Sequence, residues 1–144
     1  MDTKFSSAIH MLILISGAGT SMTSEEIAVS VGTNASYIRK VTGLLKKKGI
    51  IEGRQGASGY QLLIKPEELT LYEVYQAVSE TEQVHVFDLH QNPNDQCIVG
   101  KHIRPVLTDV FRSIEEKAEQ ELRSTTLRDC MDRMRSIIEK NGNQ

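Results

Sequence analysis

The sequence has no tryptophan and is poor in cysteine, proline and aromatic residues. It contains two Cys, three Pro and 5% aromatic residues among 144 residues, whereas hydrophobic residues make up 39%. A folded core must therefore consist mainly of aliphatic side chains. Two cysteines without a secretion signal are too few for a disulfide framework, so we expect a protein of the reducing cytoplasm.

Long hydrophobic runs are also absent. The longest run extends from Met11 to Ile15, far short of the roughly 20 residues that cross a bilayer. It lacks the basic segment and the cleavage site of a signal peptide, so we expect no membrane association. The sequence contains no phosphate-binding loop, no plausible nucleophile and base pair, and no carboxylate cluster among apolar residues. We therefore do not expect an enzyme.

Charge is distributed unequally along the chain, although the formal net charge is only -2. Residues 1–65 hold eight Lys and Arg against four Asp and Glu. Residues 66–144 hold nine Lys and Arg against fifteen Asp and Glu. This asymmetry is typical of a part that binds a polyanion, joined to a part that repels it.

Two short helices in succession are predicted by their capping residues. Thr23 and Glu26 have the spacing of a capping box, and Gly32 ends the helix that they begin. Asn34 is a favourable N-cap for the next helix, and Gly49 fits its C-terminal end. The two helices with the tight turn between them form a helix-turn-helix.

A β-hairpin is predicted directly after this unit. Ile50 to Glu52 and Tyr60 to Ile64 are rich in strand-forming residues. Gly53, Gly56 and Gly59 allow a loop with positive φ angles between them. The order helix, turn, helix and hairpin is that of a winged helix-turn-helix, which places its second helix in the major groove of DNA.

Polar residues at the start of the second helix and at the base of the hairpin are the candidate DNA contacts: Ser36, Tyr37, Arg39, Lys40 and Arg54. Arg39 can donate two hydrogen bonds to a guanine edge, and Arg54 can reach the minor groove. Ser36 can bind a phosphate at the helix N-terminus. The run Lys46 to Lys48 serves the general electrostatic field or is simply a solvated face, and both readings stay open.

The second half contains a long apolar stripe at helical spacing: Ile103, Val106, Leu107, Val110, Phe111, Ile114, Ala118 and Leu122. Because proline is best tolerated in a first turn, Pro105 predicts that this helix starts between Lys101 and Arg104. Gln83 to Leu89 is interpreted as a short strand. Thr125 or Thr126 is expected to cap a last helix with an inward apolar face: Leu127, Met131, Met134, Ile137 and Ile138.

The chain resembles the Rrf-two (Rrf2) family of bacterial winged-helix transcription regulators, which includes the iron–sulfur cluster regulator and the cysteine-metabolism repressor. The resemblance is carried by TSEEIA, NASYIRKVTGLLKKKGII, EGRQGASGYQLLIKPEELTLYEVYQAV and NPNDQCIVGKHIRPVL. It implies a homodimer bound to double-stranded DNA at a near-palindromic operator. It also implies a dimer interface on the long helix: Ile103, Val106, Leu107, Val110 and Ile114.

The expected fold is mainly α with a small β-wing, a winged helix-turn-helix head and a long C-terminal dimerisation helix. Residues 1–65 are assigned to the DNA-binding domain, which a first helix from Phe5 to Ser16 supports. Residues 66–100 are assigned to a connecting helix, begun by a second capping box, and a junction loop. Residues 101–144 are assigned to the dimerisation helix and the terminal helix.

No cofactor is expected. Family members that hold an iron–sulfur cluster have three cysteines in the junction, whereas this sequence has only Cys97 there, with Gln91 and His85 at the upstream positions. The spacing of the junction histidines with Cys97 matches no standard zinc site. Cys97 is either a redox-reactive thiol near a helix start or a structural residue, and Cys130 is expected to belong to the core.

The leading hypothesis is a dimeric, sequence-specific DNA-binding regulator that acts as a repressor. It would respond to redox or to a small effector through the junction near Cys97. The alternative is a winged-helix protein-interaction module without a DNA operator, since this fold serves both purposes.

Overall fold

The computed structural model describes residues 2–17, 22–54 and 58–142. These parts fold into six helices and one two-stranded sheet, so the expected mainly α fold with a small β-wing is confirmed. The elements are α1 Lys4–Gly17, α2 Ser24–Val31, α3 Ala35–Lys47, β1 Ile51–Gly53, β2 Tyr60–Leu62, α4 Leu71–Ser79, α5 Ile98–Ser124 and α6 Leu127–Gly142. None of the helices in these parts is long and apolar enough to span a bilayer.

The turn between α2 and α3 is set by side-chain caps. The Oγ1 of Thr23 accepts the N–H of Glu26 at 3.2 Å, and Glu26 accepts the N–H of Thr23 at 3.2 Å, which completes the predicted capping box. Gly32 takes φ 85° and ends α2. The Oδ1 of Asn34 then accepts the N–H of Tyr37 at 2.8 Å and starts α3. Both helix starts lie where the local sequence predicts them.

The end of α3 leads directly into the wing. The N–H of Gly49 donates to Lys46 at 2.9 Å, and that of Ile50 donates to Leu45 at 3.0 Å. These two bonds form a Schellman motif, in which Gly49 takes φ 73°. Ile50 and Leu45 are both buried, so the motif also brings an apolar pair together.

The wing is an antiparallel pair in which Ile51 faces Leu62, Glu52 faces Gln61 and Gly53 faces Tyr60. Ile51 is buried whereas Glu52 is exposed, as expected for a strand with one face on the core. Gly56 of the predicted wing loop lies outside the described residues.

The core is aliphatic, as the composition requires, and joins the head to α4 and to the start of α6. Its fully buried larger side chains come from five helices, the wing and the segment before α4: Met11, Leu12, Ile27, Ile38, Val41, Leu45, Ile50, Ile51, Leu69, Val74, Val78 and Leu127. Burying one such side chain contributes about 2 kcal/mol. The core therefore includes residues on both sides of the predicted domain boundaries, which stay predictions.

Backbone hydrogen bonds attach the link between α5 and α6 to the start of α4. Leu71 donates to the carbonyl of Thr125 at 2.9 Å, and Leu127 donates to that of Leu69 at 2.9 Å. Thr126 accepts the N–H of Asp129 at 3.2 Å, while Asp129 accepts the N–H of Thr126 at 2.9 Å. Thr126 is thus the cap of α6, and the two C-terminal helices leave the head from a fixed point.

The predicted start of the long helix is wrong. The helix α5 begins at Ile98, so Pro105 lies in its interior. Proline removes one helical hydrogen bond, that to the carbonyl of Lys101. Lys101 and Pro105 are both exposed, so water can bond the freed carbonyl. In the first turn, Gly100 lies so close to the preceding loop that a Cβ atom there would overlap the carbonyl of Asn94.

Two further expectations are corrected. Gln83 to Leu89 forms no strand, because this segment contacts α4 and α5 through side chains instead of pairing with another strand. The apolar face of α6 turns inward only near its start, where Leu127 is buried and Met131 half-buried. Met134, Ile137 and Ile138 are exposed, because α6 extends beyond the core.

Replacing Gly49 by alanine should destabilise the protein by about 1 kcal/mol, because the left-handed backbone at this position disfavours a Cβ atom. Gly43→Ala is the matched control. Gly43 lies within α3 with no neighbour near an added Cβ, so alanine should stabilise the helix by up to about 1 kcal/mol. Urea unfolding of both variants measures the difference, and equal midpoints would refute this role of Gly49.

Candidate nucleic-acid interface

Helix α3 has one buried face and one exposed face. Ile38, Val41 and Leu45 are fully buried, which fixes the rotation of the helix about its axis. The opposite face carries the predicted contacts Ser36, Arg39 and Lys40 on the surface. Because these residues lie near the N-terminal end of α3, they would meet the bases first if this end of the helix entered a DNA groove.

Tyr37 differs from the other predicted contacts. It is half-buried and packs against the core, and its backbone N–H is taken by Asn34. Its role as a DNA contact stays a prediction.

Arg39 lies beside an acidic residue of the preceding helix. Its Nη1 is 3.5 Å from the Oε1 of Glu25, and both side chains are more than half exposed. An exposed pair of this kind contributes little to stability, roughly 0–1 kcal/mol. Glu25 can orient the guanidinium in the free protein and release it to a stronger anionic partner.

The wing is connected to the helix-turn-helix by two contacts that the sequence did not reveal. The Nζ of Lys46 lies 5.1 Å from the ring centre of Tyr60, close enough for a cation–π interaction. The hydroxyl of Tyr60 is 2.8 Å from the Oγ of Ser24 at the start of α2. Lys46 therefore contacts the wing, although it is exposed like Lys47 and Lys48. Ser24 and Tyr60 lie 36 residues apart, so no local pattern could pair them.

Arg54 lies at the base of the wing, where its N–H donates to the carbonyl of Gly59 at 3.2 Å. Its side chain is exposed. The bond across the hairpin holds the arginine backbone at the point where the wing leaves the core. Gln55, which follows it, lies outside the described residues.

Comparison with known proteins assigns this architecture. Residues 1–133 match the profile of the Rrf2 family, described as an iron-dependent transcriptional regulator. The chain belongs to the Rrf2 family. It is therefore a transcriptional regulator with a winged helix-turn-helix and not an enzyme.

Individual Rrf2-like relatives match nearly end to end. YwnA of Bacillus subtilis (strain 168), provisionally named an HTH-type transcriptional regulator, is 40% identical over 93% of this chain and 98% of its own. A crystal structure provisionally named a DNA-binding protein is 38% identical and has a TM-score of 0.71, over 89% of this chain and 98% of its own. T. potens IscR has a TM-score of 0.69 at 19% identity, over 93% and 87% of the two chains, which is a likeness of fold.

The family description names iron, and the junction of this chain contains one cysteine, Cys97. Within residues 2–17, 22–54 and 58–142, no three His, Cys, Asp or Glu side chains are grouped as metal ligands. Cys97 is exposed at the N-terminus of α5, where the N–H groups of Gly100 and Val99 lower the pKa of its thiol. Cys130 is half-buried on α6, and burial raises its pKa.

Two of the junction histidines, His85 and His102, have separate partners. The Nε2 of His85 is 2.6 Å from Asp88, and its Nδ1 is 3.6 Å from Glu115. The hydrogen bond with Asp88 raises the pKa of His85. The Nδ1 of His102 lies 2.7 Å from the carbonyl of Ile98. These side chains therefore stabilise the junction locally.

Proposed function

We propose that this Rrf2 protein is a dimeric, sequence-specific DNA-binding repressor. The observation that carries the proposal is the exposed face of α3. This face carries Ser36, Arg39 and Lys40, and the burial of the opposite face keeps it turned to solvent. In this proposal α3 occupies the major groove. Arg39 reads a guanine edge, and Ser36 and Lys40 bind phosphates. Arg54 of the wing reaches the adjacent minor groove.

The proposed setting is the cytoplasm, where a protein of this kind meets DNA. No resident metal or cluster takes part in the proposal, since the junction offers one cysteine without grouped partners.

Arg39→Ala should reduce discrimination between operator and mutated duplex by about 1–3 kcal/mol, because a bidentate base contact is lost. Arg54→Ala should weaken binding to all duplexes and reduce the slope of log affinity against log salt by about 1. Gel shifts at varied salt, on duplexes selected from a random pool, measure both effects.

Arg133→Ala on α6 is the control and should bind normally, because this arginine lies on the exposed terminal helix. If Arg39→Ala and Arg54→Ala also bind normally, the assigned contacts are wrong. If the unaltered protein shows no salt-dependent duplex binding at all, the protein-interaction alternative gains support.

In the proposed dimer, a second copy of the chain packs on one face of α5. Val106, Val110 and Ile114 recur every four residues there and are 55%, 46% and 44% exposed. Ile103 and Leu107 flank them and are half-buried. The neighbouring face of α5 packs on its own chain through Phe111 and Glu115. An apolar stripe left open beside a packed face supports a symmetric helix pair.

Val110→Glu should convert the dimer to a monomer at micromolar concentration, because the interface would bury an unpaired charge. Val29→Glu is the matched control. Val29 is also an exposed apolar helix residue but lies on α2, so its replacement should leave the dimer intact. Sedimentation equilibrium measures the mass, and a dimeric Val110→Glu protein would refute this interface.

Cys97 is the proposed point of redox control. Its exposed, acidified thiol holds a larger thiolate fraction than an ordinary cysteine. Hydrogen peroxide would oxidise this thiolate to a sulfenic acid and release hydroxide. The change would occur at the N-terminus of the proposed dimerisation helix.

Cys97→Ser should therefore abolish the release of operator DNA by hydrogen peroxide while leaving unoxidised binding unchanged. Cys130→Ser is the control and should keep the response, because burial raises the pKa of that thiol. Fluorescence anisotropy of a labelled duplex measures release. A normal peroxide response in the Cys97→Ser protein would show that the sensor lies elsewhere.

A further inference from the structure

A cavity of about 610 Å³ lies between the segment 81–91 and the middle of α5. Its volume is within the range of sites that hold small organic ligands. Both apolar and polar side chains line it. The residues that matter for binding are Val84, Phe87, Leu89, Arg104, Phe111 and Arg112.

The walls of the cavity are held by defined contacts. The carboxylate of Glu115, whose side chain is only 12% exposed, accepts the N–H groups of Val86 at 2.6 Å and Phe87 at 3.4 Å. The rings of Phe87 and Phe111 lie 5.1 Å apart between centres. These contacts attach the segment to α5 although it has no regular secondary structure.

The acidic groups of the cavity are already engaged. Asp88 bonds His85 at 2.6 Å, and Glu115 bonds the backbone of the segment. The basic groups are less engaged. Among the described residues, the guanidinium of Arg104 donates a hydrogen bond only to the neutral amide oxygen of Gln91, at 3.5 Å. Arg112 pairs with Glu116 at 3.4 Å, and both of these side chains are well exposed. The donors available to a ligand are therefore guanidinium groups.

We propose that this cavity binds a small organic anion with an aromatic body. Its carboxylate or phosphate would be held by Arg104 with help from Arg112, in charge-assisted hydrogen bonds. Its ring would pack beside Phe87 and Phe111. Cys97 is not among the residues that line the cavity, so this site is distinct from the proposed thiol sensor.

The bound anion would act on the regulator through α5. The cavity lies on the face of α5 turned to the chain's own segment 81–91, and the proposed dimer stripe lies on another face. A ligand that prefers one spacing of segment and helix would shift the position of the heads relative to the dimer axis. This regulatory effect rests on the proposed function, whereas binding of the anion does not.

The test uses the full chain without DNA and three probes, namely phenylacetate, benzoate and phenyl phosphate. At least one should bind saturably, with a dissociation constant of about 1 mM or below, as expected for ligands of this size. Amide chemical shifts of Phe87 and Phe111 report binding at this site. The neutral isostere of the probe that binds, such as phenylacetamide for phenylacetate, should bind at least about tenfold more weakly.

Arg104→Gln should weaken binding of the same probe about tenfold, while Arg133→Gln on α6 should leave it unchanged. Both arginines are exposed, so neither replacement removes a core contact. The anion site would be overturned if no probe bound saturably. It would also be overturned if the neutral isostere bound as tightly as the anion, or if Arg104→Gln left the affinity for the probe unchanged.

Operator affinity is measured separately, with and without the probe that binds. A change in affinity supports the regulatory link, and an unchanged affinity refutes that link alone. Failure of the chain to bind any duplex would refute the proposed function and leave the anion result intact.

Discussion

Burial of the inner face of α3 is the constraint on which the arrangement of this protein depends. Ile38, Val41 and Leu45 are fully buried against the other helices, and rotating α3 about its axis would expose them at about 2 kcal/mol each. The same burial turns Arg39 and Lys40 toward solvent. The proposed DNA-binding surface is therefore a consequence of core packing. The turn at Gly49 then leads the chain from α3 into the wing, so the position of the wing depends on that of α3.

The position of the C-terminal helices is fixed by a different interaction. Hydrogen bonds between the backbone at Leu69 to Leu71 and the backbone at Thr125 to Leu127 join the link between α5 and α6 to the start of α4. Leu127 is part of the same core as α3. A shift of α5 at this end would disturb the core, so α5 and the head move together there. The opposite end of α5, near Cys97, is exposed and is free of this restraint.

Helix α5 links the proposed partner, the proposed anion site and the head. Its apolar stripe around Val110 is open, its neighbouring face is covered by the segment that Glu115 holds, and its start lies close to Asn94 at Gly100. No residue of α5 is buried in the single chain. Its environment therefore depends on what binds to it, which is the property that a regulatory element requires.

The sequence by itself determined the features that depend on neighbouring residues. Thr23, Asn34 and Gly49 act within one turn of the backbone, so their roles could be predicted from spacing, and apolar periodicity predicted which face of α3 is buried. Only the tertiary structure decided that Lys46 contacts the wing at Tyr60 and that Glu115 holds the segment 81–91. It also decided that α5 starts before Pro105 and that the far part of α6 stays exposed. These features arise from contacts between residues distant in sequence, or from the solvent exposure of a helix segment, and neither leaves a local pattern.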